Sequence, residues 1–240
     1  MSSLVSDVRH AFRVLGSRPL FALITIVSIA IGIGANTTIF SVAYAVLFRP
    51  PAGVQGIERT VEVTRTVGGR GRDTFSYPEF LDLRAMAADA FEHLAGWRGA
   101  TFSYARAGEG ERLSGTVVSH NYFAALGVEP LLGRFFLAEE DRTPLTHPVA
   151  VVSEVFWRDR LGGAADVLGQ TLVLNRRPFT IVGVVPAQFR GHVFGFTTDV
   201  WIPTMMMGVA RPGFDQFDVR WSSWLTLVGR LRPGVTVAQA

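Results

Sequence analysis

Residues 19–48 read PLFALITIVSIAIGIGANTTIFSVAYAVLF, an uncharged run closed by Arg18 on one side and Arg49 on the other. Between Leu20 and Val42 stand twelve Leu, Ile, Val or Phe residues. At roughly −0.3 to −0.6 kcal/mol each near a bilayer centre, they favour insertion by about 4 to 7 kcal/mol. That outweighs Asn36 and the scattered Thr and Ser residues. A span needs only about 20 apolar residues, so the run has length to spare for tilt or for a helical extension. It reads as one transmembrane helix.

The flanks orient it. Arg9, Arg13 and Arg18 precede the span, with Asp7 as the only acid there. An Arg-rich short flank stays cytoplasmic, which puts the N-terminus inside and the residues after Phe48 outside. A cleaved signal peptide is the rival reading, with Ala43-Tyr44-Ala45 as its cleavage site, but the apolar run exceeds the usual 7 to 15 residues. Within residues 1–18, Leu4, Val8, Ala11, Phe12 and Leu15 share one helical face, with Arg9, His10 and Arg13 off it. This predicts a short amphipathic helix on the cytoplasmic membrane surface. A frayed polar tail is the alternative.

Gly32, Gly34, Ala35, Asn36 and Thr37 stand out inside the span. Small residues let a second helix approach closely, and Asn or Thr hydrogen-bonds across the contact. These five are the candidate helix-packing residues. Gly32-x-Gly34 is not a nucleotide loop, because no strand precedes it and it lies at membrane depth.

Composition removes several function classes. The chain has no cysteine, so disulfides and thiol chemistry are excluded, and it has no lysine. A Walker A loop needs a lysine, so any ATP hydrolysis must come from another polypeptide. The formal charge is only +3, and no arginine run is dense enough for a nucleic-acid stripe. His10, His93, His120, His147 and His192 are dispersed and fit no metal spacing. They read as loop or surface histidines. Glu139-Glu140-Asp141 reads as a solvated acidic turn, as do Asp215 and Asp218. No G-x-S-x-G elbow occurs. No catalytic residue, cofactor site or metal site is expected.

Beyond the span, Pro50-Pro51 opens a linker, and a first strand is expected over 60–67. Gly68 to Gly71 reads as a flexible loop. Ser76-Tyr77-Pro78-Glu79 has capping-box spacing and should start a helix running to about His93, with Phe80, Leu83, Met86, Ala87 and Phe91 facing a core. Strands follow over 100–105 and 112–119, joined by a turn at Gly108 to Gly110. A short helix over 121–126 is stopped by Gly127 and Pro130. Residues 148–153 form a buried strand feeding a helix over 154–161. The hairpin 170–174 and 178–185 turns through Asn175 and Arg176, and its second strand is apolar on both faces. Strands over 200–203 and 224–231 complete the list. Phe189, Phe194 and Phe196 sit in a glycine-containing loop, exposed or tucked under. Met205 to Met207 is either apolar filler or a contact surface. Residues 235–240 look like the opening of a helix, so a truncated domain is expected. The fold class is α+β, one transmembrane helix followed by a mixed α/β extracytoplasmic domain in two subdomains.

The order of these segments resembles a known family. The run Ile31-Gly32-Ile33-Gly34-Ala35-Asn36-Thr37-Thr38-Ile39-Phe40-Ser41-Val42 and then Leu47-Phe48-Arg49-Pro50 is similar to the N-terminus of MacB/FtsX-type ABC transporter permeases that carry a MacB-like periplasmic core domain. Tyr77-Pro78-Glu79-Phe80, Ser119-His120-Asn121-Tyr122-Phe123, Leu126-Gly127-Val128, Val184-Val185-Pro186 and Leu231-Arg232-Pro233-Gly234 extend the match over essentially the whole chain. Pro51-Ala52 departs from the more usual Leu-Pro. The resemblance implies four spans, with the periplasmic domain between the first and second. It implies a dimer or paired permease served by a separate cytoplasmic ATPase in a bacterial inner membrane. Motion of the spans would then drive efflux, release or activation outside. Two other readings remain open at this point: a single-span anchored binding or scaffolding module, and an enzyme released by cleavage at Ala45.

Overall fold

The computed structural model describes residues 19–48, 52–68, 70–106, 109–193 and 195–240. The predicted surface helix within 1–18, Pro50-Pro51, Gly69, Gly108 and Phe194 lie outside the described residues. Contacts divide the chain into two compact units, Met1–Arg49 and Pro50–Ala240. In the first, helix α1 is Pro19–Phe48, with no acid in its first turn and no base in its last. Thirty residues at 1.5 Å each give about 45 Å, longer than a hydrocarbon core of about 30 Å. Pro19–Tyr44 is long and apolar enough to cross a membrane. Three of its hydroxyls bond back to the helix: Thr25 Oγ1 donates to the Phe21 carbonyl at 2.9 Å, Ser28 Oγ to Ile24 at 2.8 Å and Thr38 Oγ1 to Gly34 at 2.8 Å. Back-bonding of this kind removes most of the cost of placing Ser and Thr in lipid.

The second unit is built on one large sheet. Its strands are β1 (Thr60–Val63), β4 (Phe91–Arg106), β5 (Glu109–Val118), β6 (Leu132–Gly133), β7 (Val149–Ser153), β8 (Thr171–Leu174), β9 (Arg177–Val185), β10 (Val200–Pro203) and β11 (Thr226–Leu231). They lie in the order β1-β11-β4-β5-β10-β7-β9-β6. The β5–β10 and β7–β9 pairs are parallel; the others are antiparallel. Strand β8 pairs both β9 and β4, so the sheet curls back on itself through Tyr104 opposite Leu174. The seam is reinforced where the Ser103 N–H donates to Asn175 Oδ1 at 2.7 Å and the Asn175 N–H to the Ser103 carbonyl at 2.8 Å. Asn175 and Arg176 both have positive φ, 47° and 67°, the geometry of the two-residue hairpin turn expected from the sequence. A separate hairpin, β2 (Arg65–Val67) with β3 (Arg70–Asp73), stands off this sheet.

Each face of the sheet carries its own core. One cluster holds Phe80, Phe102, Phe156, Phe179, Ile181 and Ile202, with the curled half of the sheet around it. The other holds Tyr122, Phe123, Phe136, Phe189 and Trp201. Helix α2 (Tyr77–Met86) serves the first and α3 (Tyr122–Leu126) the second; α4 (Glu154–Arg160) follows β7 directly, and α5 (Met207–Ala210) is a single turn. The two expected subdomains share this continuous sheet within one compact unit.

Several local expectations change. Ser76 does cap α2, with the Ser76 N–H donating to Glu79 Oε2 at 2.8 Å, but the helix ends at Met86 instead of near His93. Its continuation is diverted because Arg232 binds the carbonyls of Ala88 and Ala90, which brings Phe91 into β4 opposite Leu231. Met86 is thereby left 81% exposed rather than in the core. The strand expected over 60–67 breaks at Thr64, since Arg65 turns away to bond Asp73, Glu79 and Ser223. Glu140 and Asp141 are buried, not solvated. Glu140 pairs with Arg134 at 2.7 Å, and Asp141 accepts the N–H groups of His120 and Met205, each at 3.0 Å. Met205 to Met207 are buried filler.

Candidate functional site

Three places concentrate unusual chemistry: the middle of α1, the point where the incoming chain meets the sheet, and a cavity beside His192. At about 100° per residue, the five candidate residues of α1 divide over two faces. Gly32, Ala35 and Asn36 share one; Gly34 and Thr37 lie on the other, together with Ser41. An added Cβ at Gly32 or Gly34 would meet no atom within 4 Å. The Asn36 amide makes no hydrogen bond within the helix, whereas the Thr25, Ser28 and Thr38 hydroxyls do.

The incoming chain is fastened by a buried arginine that sequence reasoning passed over. Arg230 on β11 is only 6% exposed. Its Nε donates to the Ala125 carbonyl at 3.1 Å, near the C-terminal end of α3, and an Nη donates to the Gln55 carbonyl. Gln55 returns the contact, its N–H donating to the Leu126 carbonyl at 3.1 Å. No carboxylate is bonded to the guanidinium among the described residues; main-chain oxygens carry its charge. Carbonyls left unpaired at a helix end are suitable acceptors for a cation. Gly127 has to be glycine here, because its φ is 63° and a Cβ would lie 2.3 Å from the guanidinium. A Cβ on Gly53 would similarly strike Phe189 at 2.9 Å. Arg59 adds a second tie, reaching Glu92 at 3.1 Å and the Leu231 carbonyl at 3.2 Å. In the antiparallel β1–β11 pair Thr60 faces Arg230 and Val63 faces Leu227, so the incoming and outgoing chains share one end of the sheet.

The third place is a cavity of about 600 Å³ between β4, β5 and the 191–198 loop, with Trp97 and His192 in its wall. The His192 ring lies edge-on to Trp97 at 4.6 Å, and its Nδ1 is 2.7 Å from the Tyr122 hydroxyl. Burial drives the His192 pKa down to about 4 and holds the Tyr122 phenol well above its ordinary value. Both groups are therefore neutral near pH 7 and share one hydrogen bond. The aromatic loop expected here is split between roles: Phe189 is buried, while Phe196 is 70% exposed. Periodicity could not locate this site, since its residues come from strand, helix and loop far apart in sequence. No group of three or more metal-ligating side chains occurs among the described residues.

Residues 22–240 match the family model described as the MacB-like periplasmic core domain. Comparison with the curated proteins returned no significant match. Among solved structures, the chain is similar to the periplasmic region of MacB from Actinobacillus actinomycetemcomitans, with a TM-score of 0.58 at 14% identity over 78% of this chain and 79% of that one. A domain of a putative permease from Porphyromonas gingivalis gives 0.54 at 18% identity over 76% and 79%. The extracellular domain of the noncanonic ABC-type transporter YknZ from Gram-positive bacteria gives 0.51 at 12% identity over 73% and 84%. At these identities the likeness is one of fold.

The histidines define a pH window. His192 is depressed by burial; so is His93, by burial first and by the nearby Arg230 charge, with Glu92 acting the other way. The unfolded chain, with histidines near their ordinary value, binds more protons than the native state between about pH 6.5 and 4. Stability should fall as pH drops through that window. His192→Phe should flatten the slope of urea midpoint against pH there; an unchanged slope would remove His192 as its source.

Proposed function

Because this chain belongs to the MacB-like periplasmic core domain family, we propose that it is a permease subunit of an ABC-type transporter or mechanotransmission complex. In this reading residues 1–18 are a cytoplasmic amphipathic segment, 19–48 a span of the bacterial inner membrane, and 49–240 the extracytoplasmic domain. A separate cytoplasmic ATPase supplies the energy, and the subunit works as a homodimer or paired permease. Movement of the domain then drives efflux or release of a substrate. The chain itself performs no covalent chemistry, and it binds no nucleic acid.

One observation carries the reading. Incoming and outgoing chains lie in neighbouring strands, and Arg230 ties the incoming one to both β11 and α3. Gln55 is held in both directions, so the start of the second unit is fastened to its sheet. The span supports the same reading. Asn36 in lipid costs free energy unless a neighbouring helix supplies a partner. Small residues on two faces of α1 suit a helix that packs between two neighbours. The alternative, a single-span binding or scaffolding module, draws support from the cavity beside His192.

Three experiments test this. A single cysteine at exposed Ser103 in the otherwise cysteine-free chain should react with a membrane-impermeant maleimide added outside intact spheroplasts; reaction only after lysis would reverse the topology. Gly32→Leu and Gly34→Leu should each lower ATPase-dependent transport by the full-length product without lowering membrane insertion, whereas a mere anchor would tolerate both. Arg230→Met should leave the ATPase bound in pull-down but uncouple it, with transport falling about tenfold or more. Full transport by a folded Arg230→Met variant would end the clamp's role. Loss of a buried charge-assisted contact costs on the order of 1.5–3 kcal/mol, enough for such an effect.

A further inference from the structure

The clamp at Arg230 has a titratable neighbour that the permease reading leaves unused. Strand pairing sets Arg230 of β11 between Thr60 of β1 and His93 of β4. Residues directly opposite in an antiparallel pair point to the same face, with Cβ atoms about 4.5–5.5 Å apart. His93 is half-buried there, so its ring titrates beside the guanidinium instead of in bulk solvent. It supplies none of the clamp's hydrogen bonds, which run to the Ala125 and Gln55 carbonyls. Its charge can therefore change while those contacts are intact.

The groups around the ring come from four segments and are mostly cationic. Burial is the first influence that lowers the His93 pKa; Glu92 opposes it, and Arg230, His120 and Arg232 add to it. Glu92 is shared with Arg59 at 3.1 Å. Asp141 is engaged with His120, accepting its N–H at 3.0 Å and standing 3.8 Å from its Nδ1. Glu58, on the incoming chain, approaches the guanidinium without bonding it: Glu58 Oε1 and Arg230 Nη1 lie 3.6 and 2.8 Å from the point a Gly56 Cβ would occupy. At neutral pH the ring is uncharged. A proton on it sets a second cation opposite a guanidinium whose bonds are to main-chain oxygens. Like charges directly opposite destabilise a strand pair, and partial burial strengthens the repulsion. Of the two segments that Arg230 holds, α3 is also packed through the buried Tyr122, Phe123 and Leu126, whereas Gln55 is exposed. The incoming chain is the part free to leave.

We propose that His93 is an acid-sensitive release for the clamp, its protonation driving Arg230 off the Gln55 carbonyl and loosening the incoming chain from the sheet. In the permease reading, on which this consequence alone rests, acid outside the membrane lowers coupled transport. Linkage fixes the sign. The clamped ring holds a proton more weakly than a released one, so the clamp is fully stable above about pH 6.5 and weakens as pH falls below it. A released ring with its ordinary value favours opening by at most about thirtyfold at about pH 5.

Hydrogen–deuterium exchange on the full chain in lipid nanodiscs tests this, at about pH 7.5 and about pH 5, each rate divided by the intrinsic rate at that pH. Residues 54–60 include the Gln55 N–H bonded to the Leu126 carbonyl. Their protection should fall roughly three- to thirtyfold at the lower pH. Residues 171–181, at the seam, should keep theirs, which marks the opening as local. His93→Gln cannot take up the proton and should hold the 54–60 protection at both pH values. His93→Arg carries the charge permanently and should show the low protection already at the higher pH. No loss in wild type, equal loss in wild type and His93→Gln, or parallel loss in both segments overturns the proposal. Circular dichroism checks folding; should His93→Arg fail to fold, His93→Gln decides alone. Exchange reads the clamp and not transport, so a negative result leaves the permease reading standing, and a failed transport assay leaves the release standing.

Discussion

A buried guanidinium held by main-chain carbonyls is the constraint around which the extracytoplasmic unit is arranged. Arg230 is too deep to be hydrated, and the oxygens bonded to it are those of Gln55 and Ala125. Removing either would leave a charge unsatisfied in a medium where that costs several kcal/mol. The incoming chain, the end of α3 and the outgoing strand must therefore stay together or separate together. Glycines at 53, 56 and 127 are the complement of this arrangement. Each lies where a Cβ would strike Phe189 or the arginine itself. Their positive φ values make the same positions strained for other residues.

The curled sheet is the framework to which that clamp is fixed. Because β8 returns to β4, six of the nine strands close around the larger core and leave no free edge between β5 and β9. The sheet ends at β1, next to the clamp, and at the two-residue β6 on the other side. Strand β11 is bonded to β4, whose 16 residues run from the clamped end to the seam at Tyr104. Strand β4 is paired in succession with β11, β5 and β8. The strand beside the clamped pair is thus also the one that closes the curl.

Much of this was legible in sequence, and the misses share a cause. The long apolar helix, the capping box at Ser76, the strand-to-helix junction at Ser153 and the Asn175-Arg176 hairpin all followed from local pattern. Local pattern decides such features because their stabilising contacts lie within a few residues. What pattern missed was set by distant partners. Helix α2 stops early because Arg232, far along the chain, takes the carbonyls of Ala88 and Ala90 just beyond it. Glu140 and Asp141 are buried because Arg134, His120 and Met205 supply donors. Neither the clamp nor the cavity has a sequence signature, since an arginine in a strand of alternating pattern looks like a solvent-facing residue. The five span residues were conspicuous by composition, but their division over two faces emerges only from helical geometry.

An exclusively arginine set of cations suits a domain of this kind. Arg65 alone reaches Asp73, Glu79 and Ser223 with its three nitrogens, Arg134 grips Glu140 with two, and Arg230 joins two carbonyls. A guanidinium presents five donors in a fixed plane; an ammonium is a single rotating point. Where several segments must be held at set angles, the planar fork locks direction as well as distance. The absence of lysine excludes a nucleotide-binding loop, and the chain's cations instead serve as joints.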